Sequence, residues 1–113
     1  MAKCEHDRQS CAVCSPEKVW KQYAYKAKKR GLTFSLTLEE FEMLVNSACR
    51  YCNEYPSNGI DRVDNRVGYN SQRGQCVPCC SDCNMMKRNM LAHRFIYRAE
   101  RIAKYQESLK KVA

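Results

Sequence analysis

Apolar residues recur at helical spacing in "SPEKVWKQYAYKAKKRG": Trp20, Tyr23, Ala24 and Ala27 share one side. Lys18, Lys21, Lys28, Lys29 and Arg30 are left for solvent or phosphate. Ser15 stands as N-cap, Pro16 at the first helical position and Gly31 at the stop, which predicts a helix between them. "TLEEFEMLVNSA" predicts a second helix, with Thr37 and Glu40 spaced as a capping box and an apolar stripe of Leu38, Phe41, Leu44, Val45 and Ala48. The intervening "GLTFSL" reads as an extended connector that drops Phe34 and Leu36 into the core. The tail "MLAHRFIYRAERIAKYQESLKKVA" is helical, with Leu91, Phe95, Ile102 and Leu109 on one stripe and Arg94, Arg98 and Arg101 on another.

Composition changes this picture in two ways. The 113 residues include nine cysteines and seven tyrosines, so the aliphatic core is thin and a staple is expected. "MAKCEHDRQS" has no apolar run of a signal peptide, no stretch approaches a membrane span, and the cysteine count is odd. A reducing, intracellular setting (host cytoplasm or nucleus if the chain is viral) is therefore expected rather than secretion, with the cysteines as metal ligands. The net charge of +8 makes a polyanion the natural partner. DNA comes first, RNA second, and nothing points to a membrane. Lys28, Lys29, Arg30, Arg94, Arg98 and Arg101 are the candidate phosphate contacts, against the plainer reading of a solvated charged face. Oligomeric state is not legible.

Two metal sites follow from spacing. Cys49-x-x-Cys52 and Cys80-x-x-Cys83 are two knuckles that together complete a tetrahedral Cys4 zinc site. "CVPCCSDC" also offers Cys76 and Cys79, but Cys83 is better placed to open the following helix, and the other pair is expected in the core. Residues 1–14 hold Cys4, His6, Cys11 and Cys14, a second full zinc set at a shorter spacing.

"CRYCNE", "GIDRVDNRVGY" and "CVPCCSDCNMMK", in that order, resemble the HNH endonuclease family, in particular its small zinc-stapled members in phages and large DNA viruses. The resemblance implies an α+β fold: a zinc-stapled ββα-metal core over residues 49–113 that ends in the long basic helix, preceded by a helical lead-in over 15–48. It implies a metal-dependent endonuclease hydrolysing DNA phosphodiester bonds. Asp61 and Asn84 would hold the catalytic ion, Mg2+ or Mn2+, through oxygen. The family's general-base histidine is replaced by Arg62, and its middle asparagine by Gln75. An arginine guanidinium cannot act as a base, but it can clamp phosphate. Asp64, which strand alternation places on the side of Arg62, His93, or water activated directly by the metal would have to serve instead. The rival reading is an HNH scaffold that has lost hydrolysis and binds DNA, RNA or protein, with Asp61, Arg62, Asp64 and Asn65 satisfying one another in a turn.

Overall fold

The computed structural model describes residues 8–72 and 74–112. Cys4 and His6 of the N-terminal metal set lie outside the described residues.

Helix α1 spans Pro16–Lys29 and buries Val19 and Ala27. Its N-cap is Ser15, but the hydroxyl donates to the Arg8 carbonyl at 2.8 Å instead of capping the helix. The C-terminal end closes as the glycine predicts. Gly31 takes φ +72°, and Leu32 N–H and Gly31 N–H return to the carbonyls of Ala27 and Lys28, satisfying acceptors that the last turn would leave open. Helix α2, Leu38–Val45, starts with both halves of the capping box: Glu40 N–H to Thr37 Oγ1 at 3.1 Å, and Thr37 N–H to Glu40 Oε1 at 2.9 Å. It ends at Val45, so Ala48 falls beyond it.

Strands β1 (Ile60–Arg62) and β2 (Cys76–Pro78) form an antiparallel pair, with Asp61 opposite Val77. Helix α3 (Ser81–Lys87) follows directly, and α4 (Ala92–Val112) completes the described chain. The result is α+β, four helices on a two-stranded sheet. No helix among the described residues is long and apolar enough to cross a membrane.

Two cores flank the hairpin. Ala12, Val19, Leu36, Phe41, Val45 and Ile60 form the first, with Phe34 and Tyr69 packed against it. The connector thus buries Leu36 as its pattern predicts, and Trp20 Nε1 donates to the Leu36 carbonyl at 2.9 Å. Gly68 passes so close to Thr33 that a Cβ there would lie 2.6 Å from its carbonyl oxygen, a space that excludes any side chain. The second core is made of Cys49, Cys79, Cys80, Cys83 and Phe95. β1 joins the two: Ile60 packs in the first, and Asp61 is joined to the second by Tyr51.

The tail departs from its expected packing. Phe95 is buried, but Ile102 and Leu109 of the same stripe are 57% and 44% exposed. The helix is anchored at its start, where Ala92 N–H donates to the Val63 carbonyl at 3.2 Å. Its basic face therefore begins beside the end of β1.

Candidate functional site: a basic cleft beside a four-cysteine cluster

Helix periodicity assembles both halves of the site. In and just before α3, Cys80, Cys83, Asn84 and Lys87 fall three and four residues apart, which places them on one face. The hairpin supplies the opposite wall.

The sulfurs of Cys49, Cys52, Cys80 and Cys83 all lie within 4.8 Å of one another. Cys52 Sγ and Cys80 Sγ are 3.7 Å apart, close to the edge of about 3.8 Å that a tetrahedron with Zn–S bonds of about 2.3 Å requires. Cys80 Sγ also accepts the Cys83 N–H at 3.4 Å. Burial, followed by the neighbouring cysteines, pushes the Cys83 thiol up. Burial acts in the same direction on Cys49, but the backbone amides of Cys80, Cys52 and Tyr51 outweigh it and bring that thiol down to about 6. Four such groups cannot ionise together without a cation among them, and the donor set suits zinc. Cys76 and Cys79 stand outside the cluster. Burial raises both, Cys76 to about 11, as expected of core thiols. Cys11 is buried and Cys14 exposed.

Beside the cluster opens a cleft of about 340 Å³. Asp61, Arg62 and Asn84 line it, joined by Arg30, Arg88 and Tyr69. Asp61 and Asn84, predicted to share an ion, are thus brought to one space. Asn84 Nδ2 donates to the Ile60 carbonyl at 3.2 Å, and its Oδ1 has no partner among the described residues.

Asp61 is 7% exposed and firmly held. Its Oδ2 accepts Tyr51 OH at 2.8 Å and lies 3.2 Å from Nζ of Lys87, which is 0% exposed. Lys87 also donates to the Arg62 carbonyl at 3.1 Å. Burial, then the bond to Asp61, holds the Tyr51 phenol well above its ordinary value, so it remains a donor.

Arg62 uses one guanidinium nitrogen, Nη1, to donate to the carbonyls of Asn65 and Val67 at 2.6 and 3.1 Å, and it stacks over Tyr69 at 5.0 Å. The residue lines the cleft although it is only 6% exposed. Gln75 pins the same loop: Nε2 donates to the carbonyls of Asp64, Val67 and Gly68 at 2.9–3.2 Å. These bonds tie the loop between the two strands to the start of β2.

Asp64 is placed elsewhere. β1 ends at Arg62, so strand alternation no longer governs it, and Asp64 forms a two-point pair with Arg66 at 2.9 and 3.0 Å. Those hydrogen bonds hold its carboxyl down at about 2. The mutual turn of the rival reading is met only where Arg62 reaches the Asn65 carbonyl. Of the candidate phosphate contacts, Arg30 lines the cleft, while Lys28, Lys29, Arg94, Arg98 and Arg101 lie outside its lining. Lys29 sits over the Tyr25 ring, and Arg98 and Arg101 are exposed along α4. His93 is also exposed on α4.

Sequence reasoning missed Lys87, Tyr51 and Arg88 as site residues. The signal for Lys87 was available, since it stands one helical turn beyond Asn84 on the face that carries Cys80 and Cys83.

No family model matches the chain. A solved structure of the rare-cutting HNH restriction endonuclease PacI superposes with a TM-score of 0.62 at 22% identity, over 96% of this chain and 93% of that one. That likeness establishes the fold: this is an HNH-like α+β architecture with a cysteine cluster beside the hairpin. In sequence, the chain is 45% identical over 87 residues to the uncharacterized protein R423 of Acanthamoeba polyphaga mimivirus. The match takes in 74% of this chain but only 16% of that protein's length.

Proposed function

We propose that the chain is a metal-dependent nuclease module that hydrolyses DNA phosphodiester bonds, with DNA held in the Asp61–Asn84 cleft. The observation that carries this reading is the convergence of Asp61, Asn84 and three arginines, Arg30, Arg62 and Arg88, on one space. A carboxylate oxygen and an amide oxygen are hard donors that suit Mg2+ or Mn2+, ions that keep several waters and accept few protein ligands. A divalent ion bound there supplies Lewis-acid polarisation of the phosphodiester and charge neutralisation for the departing oxygen.

The chain's own residues do the rest. Arg62 is fixed by two carbonyls and a ring, so its free edge meets a phosphate without reorganising. Arg30 and Arg88 add charge at the rim. The basic face of α4, beginning where Ala92 is tied to Val63, extends the phosphate track away from the cleft. Zinc on Cys49, Cys52, Cys80 and Cys83 would tie the knuckle that precedes β1 to the start of α3, and so close the two ends of the segment that carries the hairpin. The N-terminal set of Cys4, His6, Cys11 and Cys14 remains a proposal for a second zinc.

A specific observation favours the second reading, a DNA- or RNA-binding module without hydrolysis. Among the described residues no histidine lines the cleft, and its carboxylate is already paired with a buried lysine. The test is a labelled DNA duplex incubated with Mg2+ or Mn2+ and the wild type, Asp61→Asn or Asn84→Ala. Cleavage by the wild type alone supports the nuclease. Retarded but intact duplex in every lane supports the binding module.

A further inference from the structure

Tyr51 lies inside the Cys49–Cys52 knuckle, yet its hydroxyl reaches out of the cysteine cluster to the cleft's carboxylate. The OH donates to Asp61 Oδ2 at 2.8 Å. The ring is braced edge-on by Phe95 at 5.3 Å, with the planes at 85°. The knuckle backbone is itself fixed to the sheet, where Arg50 N–H donates to the Pro78 carbonyl at 2.8 Å. Lys87 approaches the same oxygen at 3.2 Å, from α3. Oδ2 is therefore closed off from two sides. Oδ1 has a single contact among the described residues, Lys87 at 3.4 Å.

We infer that Tyr51 is a positioning residue for the divalent-ion site. It fixes the carboxylate rotation so that Oδ1 faces the cleft, and it takes its own position from the cysteine knuckle. The inference rests on the reading of Asp61 as an ion ligand. The physical reason is general: a ligand carboxylate whose second oxygen is hydrogen-bonded loses rotational freedom before the ion arrives, and outer partners of this kind typically change metal affinity by about 10–100-fold. Lys87 alone, nearly equidistant from both oxygens, does not select between them. The phenol does.

The experiment measures Mn2+ affinity directly, by electron paramagnetic resonance of free Mn2+, in the zinc-loaded chain. Tyr51→Phe removes only the hydroxyl and keeps the ring against Phe95. The expected result is a Kd raised by about 10–100-fold, with zinc content unchanged. A double-mutant cycle separates positioning from general loosening: in the Asp61→Asn background, Tyr51→Phe should change the residual Kd by less than about twofold. A wild-type-like Kd for Tyr51→Phe overturns the inference while leaving the ion site in place. An equal loss in both backgrounds overturns it in favour of a merely structural role. A wild type that binds no Mn2+ overturns the ion site and the inference together.

Discussion

Lys87 Nζ lies 3.2 Å from Asp61 Oδ2, and both side chains are buried. The carboxylate in the cleft's lining therefore has a structural task before any ion arrives. Removing one member of such a pair leaves the other charge without its partner in a poor solvent. Lys87→Met is expected to destabilise the fold by about 3–5 kcal/mol in urea unfolding, and Asp61→Asn/Lys87→Met by clearly less than the sum of the two single changes. It follows that Asp61→Asn, which keeps shape and an acceptor, is a better activity control than Asp61→Ala.

Arg88 sits at the C-cap of α3 with φ 50° and ψ −120°, a conformation that suits glycine and strains any residue with a Cβ. Its side chain lines the cleft. Arg88→Gly is expected to raise the melting temperature by roughly 2–6 °C, as relief of strain exceeds the added freedom of the unfolded chain. The same change should weaken DNA retention. A lower melting temperature would refute the strain argument.

The cysteine cluster forms the heart of the second core, with Phe95, Tyr51 and Met90 packed on it. Purified protein is expected to carry at least one zinc, and two where the N-terminal set is also filled. Cys83→Ser should lose the cluster's zinc and melt roughly 10 °C lower or more. Metal analysis beside circular dichroism checks both.

Alkaline pH offers a test that needs no metal at the cleft. Burial raises the Tyr23 phenol to about 12, although the Ile60 backbone amide pulls the other way. Above pH 10 the unfolded chain ionises this group while the folded chain keeps it neutral. The folded state then holds more protons, so stability is full below about pH 10 and falls as pH rises towards 12. The slope is at most about 1.4 kcal/mol per pH unit for one group. Tyr23→Phe should make the slope shallower by up to that amount in urea melts taken between pH 9 and 11.5, leaving the part that other buried groups such as Tyr51 and Cys76 contribute.

Much of this architecture was legible in residue order. The capping box of α2 and the glycine stop of α1 depend on local spacing, which the chain displays openly, while the choice of Cys80 and Cys83 over the equally spaced Cys76 and Cys79 rests on the helix that follows them. The meeting of Asp61 and Asn84 was legible only through family resemblance, because no local rule joins positions 23 residues apart. Lys87 escaped because lysine is ordinarily read as solvated, and burial depends on a partner supplied by another element. Asp64 was misplaced by strand alternation, which applies only while the strand lasts, and β1 stops at Arg62. The tail shows a further limit: periodicity identified the apolar stripe of Ile102 and Leu109, but not whether anything covers it.

The proposed activity of the Asp61–Asn84 cleft is hydrolysis of DNA when a divalent ion is supplied. Supercoiled plasmid incubated with zinc-loaded protein and Mg2+ or Mn2+, beside Asp61→Asn, tests it most directly. The wild type is expected to convert the plasmid to nicked or linear form, and chelator or Asp61→Asn to abolish the conversion. Plasmid that is shifted by the protein yet stays supercoiled with either ion would contradict it and leave a binding module in its place.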